Sequence, residues 1–157
     1  MGEKTPINDP YARGAILGLT MYHSRAHVYR ALLEAVAYGF NHQLQILREL
    51  GRVPNRVVAV NGGARSRLWR QTVTDVIGLA QHYVATNPGA PLGDAFLAGI
   101  GTRQIENWDS INEWVRVTDT SLPDRENHDM YAKMNRIYRS AYEHLKQDFA
   151  DLATISS

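Results

Sequence analysis

Residues 59–69 read "AVNGGARSRLW", a β-branched run closing on two glycines, with a helix opening directly after them. Strand, glycine turn and helix in that order bring backbone N–H groups against an anionic or planar ligand, because only glycine lets the chain approach so closely. The same letters also make an ordinary tight β-to-α turn. On this stretch alone the plain turn is the first reading, since a lone double glycine is a weak motif.

Working outward, "RVVAV" (56–60) is a short apolar run whose near-continuous hydrophobicity predicts a strand buried on both faces, as in parallel sheets. Ser66 is placed to cap a helix carrying Leu68, Trp69, Val73, Val76 and Ile77, which Gly78 stops. "QHYVAT" (81–86) supplies a second strand, giving a right-handed βαβ unit. "NPGAPLGDAFLAGIG" (87–101) then predicts a turn and a small-residue helix from Leu92, whose Ala95, Ala98 and Gly99 admit close approach of another helix.

Upstream, Ser24 caps a helix running to Gly51, with Leu32, Val36, Phe40, Leu44 and Leu47 along one face. Ala26, Tyr29, Leu33 and Ala37 form a second stripe beside it, so this helix is expected to be internal and packed on two sides. Residues 1–20, with Pro6, Pro10, Gly14 and Gly18, read as an irregular lead-in. Downstream, the pattern weakens between Gly101 and Pro123. Trp108, Trp114 and Val117 are expected to fold back on the core, with a short strand at "WVRV" (114–117). A closing helix over 122–153 follows, spacing Tyr131, Met134, Tyr138, Tyr142, Leu145, Phe149 and Leu152 by three and four. There is no repeat or second domain boundary.

The totals limit the chemistry. A chain of 157 residues, 44% hydrophobic, makes one domain with a real core, small for an enzyme that must close around two substrates. Lysine plus arginine number 17 against 16 acids, so no overall field favours nucleic acid or an acidic membrane. The absence of cysteine excludes a disulfide scaffold, a thiol nucleophile and cysteine-based zinc sites. No apolar leader or membrane-length run is present, which predicts a soluble cytoplasmic protein.

The candidate groups are few. His23 and His27 have a metal-ligand spacing, but nothing nearby completes a site, and they read as capping or surface residues. Glu34, between hydrophobic neighbours, reads as a carboxylate bonded to Arg30 or to the lead-in. Arg65, Arg67 and Arg70 around Trp69 could stack on and neutralise single-stranded nucleic acid, a reading the neutral remainder of the chain argues against. No Ser/His/Asp set, P-loop or paired-carboxylate motif is legible.

Four blocks carry more. "GEKTPINDPYARGAILGLT" (2–20), "HSRAHVYRALLEAVAYGF" (23–40), "NGGARSRLWRQTVTDVIG" (61–78) and "LGDAFLAGIGT" (92–102) together resemble, in order, the C-terminal part of the FGGY family of carbohydrate kinases, xylulokinase-like members most. That resemblance implies an α/β fold: part of an actin-like (ribonuclease H-like) ATPase domain, a βαβ core with long flanking helices. It also implies transfer of the γ-phosphoryl of ATP, with Mg, to a sugar hydroxyl. By resemblance Gly62, Gly63 and Ala64 lie against the nucleotide and Ser66 starts the helix behind them. Arg67 stands where several members place an asparagine or another adenine-edge residue. Trp69, Gln71 and Asp75 match a W-x-Q-x-x-x-D pattern and are expected to brace the loop. Lys4 replaces the arginine of "GERTP", Asn61 a frequent third glycine, and Ala35 the glycine common after Glu34.

Family members are much longer, and their catalytic aspartate, sugar pocket and phosphate-binding loop precede the resembling segment. The resemblance therefore implies a C-terminal fragment with no catalytic residue and no metal ligand of its own, inactive alone. Its partners would be an adenine nucleotide and the missing N-terminal half or another copy, through unpaired sheet edges, with no nucleic acid or membrane. The competing expectation is an oligomeric or partner-binding module without nucleotide binding.

Overall fold

The computed structural model describes residues 2–60, 62–85 and 89–155. The expectations placed on Asn61, on Thr86 as a strand end, and on Asn87 and Pro88 lie outside them. Five helices and three strands follow in order: α1 (Arg25–Glu49), β1 (Val57–Val60), α2 (Arg67–Ile77), β2 (Gln81–Val84), α3 (Ala90–Gly101), α4 (Ile111–Trp114), β3 (Asp119–Ser121) and α5 (Arg125–Ile155). The lead-in is irregular, pinned by a bridge between Glu3 and Asp9. Among the described residues no helix is long and apolar enough to cross a membrane.

The ends of α1 and α2 are where the sequence puts them, while α3 starts at Ala90 and the closing helix runs Arg125–Ile155 instead of 122–153. Ser24 precedes α1, and its N–H and hydroxyl both reach His27 Nδ1, at 3.1 and 2.9 Å. At the other end Gly51 takes φ +70°, and the Arg52 and Gly51 N–H groups bond to Leu47 and Arg48 carbonyls, a Schellman termination that needs glycine. Ser66 Oγ accepts from the Trp69 N–H at the start of α2, and Gly78 ends that helix at φ +67°.

β1 and β2 run parallel, Val57 beside Gln81 and Val60 beside Val84, with α2 between them as the crossover. β3 adds to the other side of β2, antiparallel, Tyr83 facing Asp119. The third strand is therefore 119–121 and not "WVRV", whose start belongs to α4. The short polar strand is held by Thr118, which bonds through backbone and hydroxyl to the Tyr83 carbonyl, an arrangement apolar patterning does not encode. Trp108 and Trp114 pack edge-on against Phe96 of α3, so they fold back on that helix and stay partly exposed. Gly99 is met by the Ile105 side chain, while Ala95 and Ala98 stay exposed, so no helix uses the close approach they offered.

The core lies where α1, α2 and α5 meet: Ala37, Tyr38, Val73, Val76, Ile77 and Tyr131. One expectation fails here. The buried face of α1 is Ala37, Tyr38, Asn41 and His42, while Leu32, Val36, Phe40 and Leu47 are exposed. β1 likewise alternates, with Val58 and Val60 open. Both elements are apolar enough for two covered faces, and the described residues cover only one.

His42 gives the fold an acid sensitivity. Burial first, and the Arg139 charge second, hold its imidazole below the ordinary histidine pKa, against a smaller opposing pull from Glu49. The unfolded chain then binds the extra proton below about pH 6.5, so stability is full above that pH and declines as pH falls toward the depressed native value. Urea midpoints measured from pH 8 to pH 5 are expected to drop in the acid half for the native chain, and to drop less for His42→Gln.

Candidate functional site

The carboxyl ends of the parallel strands form the edge at which open α/β sheets present ligands. After β1 a 3-10 turn, Gly62–Arg65, leads into α2. Gly89, before α3, takes φ +82° and ψ −139°, a conformation reserved for glycine, and α3 begins with Pro91 in its first turn.

The two glycines of the first turn do different work. Gly62 sits at φ +41°, and a Cβ built on it meets nothing within 4 Å, so its backbone faces open space. A Cβ on Gly63 would lie inside the Trp69 ring. Gly63 is therefore needed for packing within the chain, as the plain-turn reading requires, while Gly62 leaves an uncovered stretch of main chain at the start of a helix. Arg65 and Arg67 follow it in the chain, both exposed.

Arg70 is the brace that sequence reasoning missed. It is 5% exposed, donates through Nη1 to the Ala64 carbonyl and through Nη2 to Asp119 Oδ2, both at 2.7 Å, and lies 4.2 Å from the centre of the Tyr83 ring. The glycine turn is thereby tied to β2 and β3, and the cation needed for a nucleic-acid surface is withdrawn inside. Its partner stands 49 residues away, which no local spacing reveals.

The Trp69 ring packs against Gly63. Gln71 and Asp75 point elsewhere. Gln71 Nε2 bonds to Asp75 Oδ1 and the Leu122 carbonyl. Asp75, 2% exposed, also accepts from the Asp124 N–H and from Asn127 Nδ2, while its carbonyl pairs with His128 Nδ1. These residues hold the start of α5, not the loop.

The remaining candidates are structural. His23 and His27 serve local turns through Nδ1 to Thr20 and Ser24, and no group of three His, Asp or Glu among the described residues could hold a metal. Glu34 closes a triangle with Arg30 and Tyr131: Arg30 donates to both, and the Tyr131 hydroxyl donates to Glu34.

A parallel pair followed by a glycine-rich 3-10 turn and a helix start is an arrangement of α/β domains whose carboxyl edge suits anionic ligands. Residues 1–102 match the model of the FGGY family of carbohydrate kinases, C-terminal domain, and the chain belongs to that family. It is similar to the xylulose kinase of Staphylococcus epidermidis, 31% identical over 99% of this chain and 32% of that protein. It is also similar to glycerol kinase 2 of Saccharolobus solfataricus, 36% identical over 72% of this chain and 22% of that protein. The crystal structure of xylulose kinase from Rhodospirillum rubrum, 36% identical, superimposes with a TM-score of 0.80 over 90% of this chain and 29% of that one. The fold is accordingly part of an actin-like (ribonuclease H-like) domain. The chain spans about a third of the length of the xylulose kinases it matches.

Proposed function

We propose that this chain is the nucleotide-binding C-terminal part of a cytoplasmic kinase that moves the γ-phosphoryl of ATP to a hydroxyl of a xylulose-like sugar. The relatives' names support the reaction class, and one local observation carries the site: Gly62 presents bare main chain to open space where a strand passes into a helix. That donor set suits an anionic or planar ligand. In this reading Gly62, Gly63 and Ala64 line the nucleotide, Ser66 fixes the first turn of α2, and the exposed Arg67 stands at the base edge. Trp69 and Arg70 keep the turn in place. ATP brings the phosphoryl group that is transferred. Mg, which travels largely hydrated on the phosphates, would take its carboxylates from elsewhere in a longer kinase.

Phosphoryl transfer depends on positioning and charge stabilisation in a closed cleft, and one wall of a cleft supplies neither completely. Titration of the chain with MgADP is expected to give saturable amide shifts at Gly62–Ala64 and at the start of α3. A coupled assay with xylulose is expected to show no turnover. A folded chain without shifts defeats the nucleotide reading, and sugar-dependent turnover defeats the expectation of inactivity. A second reading, a partner-binding module, is favoured by one observation, the uncovered apolar faces of α1 and β1.

A further inference from the structure

β3 opens on Asp119, whose carboxylate is engaged at both oxygens. Oδ1 accepts from the Thr120 N–H at 2.9 Å, which fixes the side chain against its own strand, and Oδ2 accepts from Arg70 Nη2 at 2.7 Å. Asp119 pairs with Tyr83 across the β2–β3 ladder, so carboxylate and ring leave the sheet on one face, and both meet the same guanidinium. The other arm of that guanidinium donates to the Ala64 carbonyl in the turn after β1. Arg70 Nε is buried and has no partner among the described residues. An unpaired buried donor is costly, so the two acceptors, one in the turn and one in β3, set the group's orientation against the demand of the Nε–H. Lysine would not span them, because a single ammonium lacks the planar fork that reaches two acceptors and lies over a ring.

We infer that Asp119 is a positioning residue for the nucleotide-facing turn. Acting through Arg70, it fixes the Ala64 carbonyl and with it the path of the main chain from Gly62 into α2. The inference rests on reading that turn as the nucleotide's seat, and it adds a determinant of affinity that lies outside residues 1–102, the part matching the family model. Two observations separate this role from plain support of β3. The strand has its own attachment: the Thr118 hydroxyl donates to the Tyr83 carbonyl at 3.0 Å and accepts from the Ala85 N–H at 3.1 Å. The ion pair is also lopsided, with Arg70 5% exposed and Asp119 46%. Loss of the carboxylate therefore leaves a buried cation with only the Ala64 carbonyl and the Tyr83 ring, and turn and guanidinium must move together to relieve it. By linkage, a ligand that favours the present turn also favours the Asp119–Arg70 pair.

MgADP titration of the whole chain, followed by amide shifts, tests this. In Asp119→Asn the amides of Gly63–Arg65 are expected to shift before any ligand is added, and MgADP affinity to fall about tenfold. Asp119→Glu is expected to recover part of both. Thr118→Val loosens β3 without touching the ion pair; it is expected to speed amide exchange at Asp119–Ser121 and to leave the turn shifts and the affinity as in the native chain. In an Arg70→Lys background, Asp119→Asn is expected to weaken MgADP no further, since the residue acts through the guanidinium. Saturating MgADP is expected to slow exchange at Thr120 and Ser121 of the native chain several-fold. Unmoved turn amides in Asp119→Asn, unchanged affinity, or equal losses from Thr118→Val overturn the inference, as does full additivity with Arg70→Lys. The reading beneath it fails separately. A native chain that MgADP leaves unshifted rejects the nucleotide seat and with it the role in affinity, while turn shifts in the free Asp119→Asn chain, which need no ligand, still show the carboxylate holding the turn.

Discussion

Gly63→Val is expected to destabilise the chain by about 3 kcal/mol, at the upper end for overpacking, and to abolish MgADP-induced shifts at the neighbouring turn. The Cβ would occupy the Trp69 ring, and the ring cannot retreat freely because Trp69 packs against the core formed by α1, α2 and Tyr131. Either Trp69 leaves its site, uncovering the core, or the turn moves off its present path. The double variant Gly63→Val with Trp69→Ala distinguishes these. If the collision is the cause, the second substitution costs much less in the Gly63→Val background than in the native chain, a coupling read from urea midpoints. Strict additivity would mean that Gly63 is retained for its backbone conformation alone. Gly62→Ala is the companion measurement, since its Cβ has room and only the positive φ opposes it.

Asp75→Ala is expected to cost about 3–4 kcal/mol, within the range for stripping a buried charged acceptor from its donors. The carboxylate is almost fully buried, and removing it strands the Asp124 N–H and the Asn127 amide and leaves the Gln71 amide with the Leu122 carbonyl alone. The damage should be local before it is global. Hydrogen exchange is expected to accelerate first over Asp124–Tyr131, where α5 starts, and last in α1. Asp75→Asn, which preserves shape and one acceptor oxygen, should lose roughly half as much. Equal exchange along α5 in Asp75→Ala and the native chain would show that Asp75 does not anchor that helix.

The parts of this fold that are legible in sequence are those determined by neighbours. Ser24, Gly51, Ser66 and Gly78 end their helices through bonds to residues within five positions, so each cap is written beside the element it closes. β1 and β2 are likewise announced by their own composition. What sequence hides is set by distant partners: Arg70 is turned inward by Asp119, and Asp75 is turned toward α5 by Asp124 and Asn127. The apolar stripe of α1 misleads for a different reason. Leu32, Val36, Phe40 and Leu47 are hydrophobic as a buried face must be, yet periodicity says only that a face wants covering and not which polypeptide covers it. The glycine turn was half legible. The pattern located it, but the contrast between Gly62 in open space and Gly63 against a tryptophan needs three dimensions.

The contacts of α5 set a schedule for the ribosome. Tyr142 holds Asp9, 133 positions earlier, and Tyr131 holds Glu34 and Arg30. At synthesis rates of roughly 5–20 residues per second, the lead-in waits about 7–27 s between its own appearance and that of the tyrosine that secures it. Through the later part of that interval α1 has α2 and the parallel strands beside it but still lacks α5. A nascent chain stalled before Tyr131 would thus hold α1 and α2 without the third helix of their shared core, and would stay open to chaperones and proteases until α5 arrives.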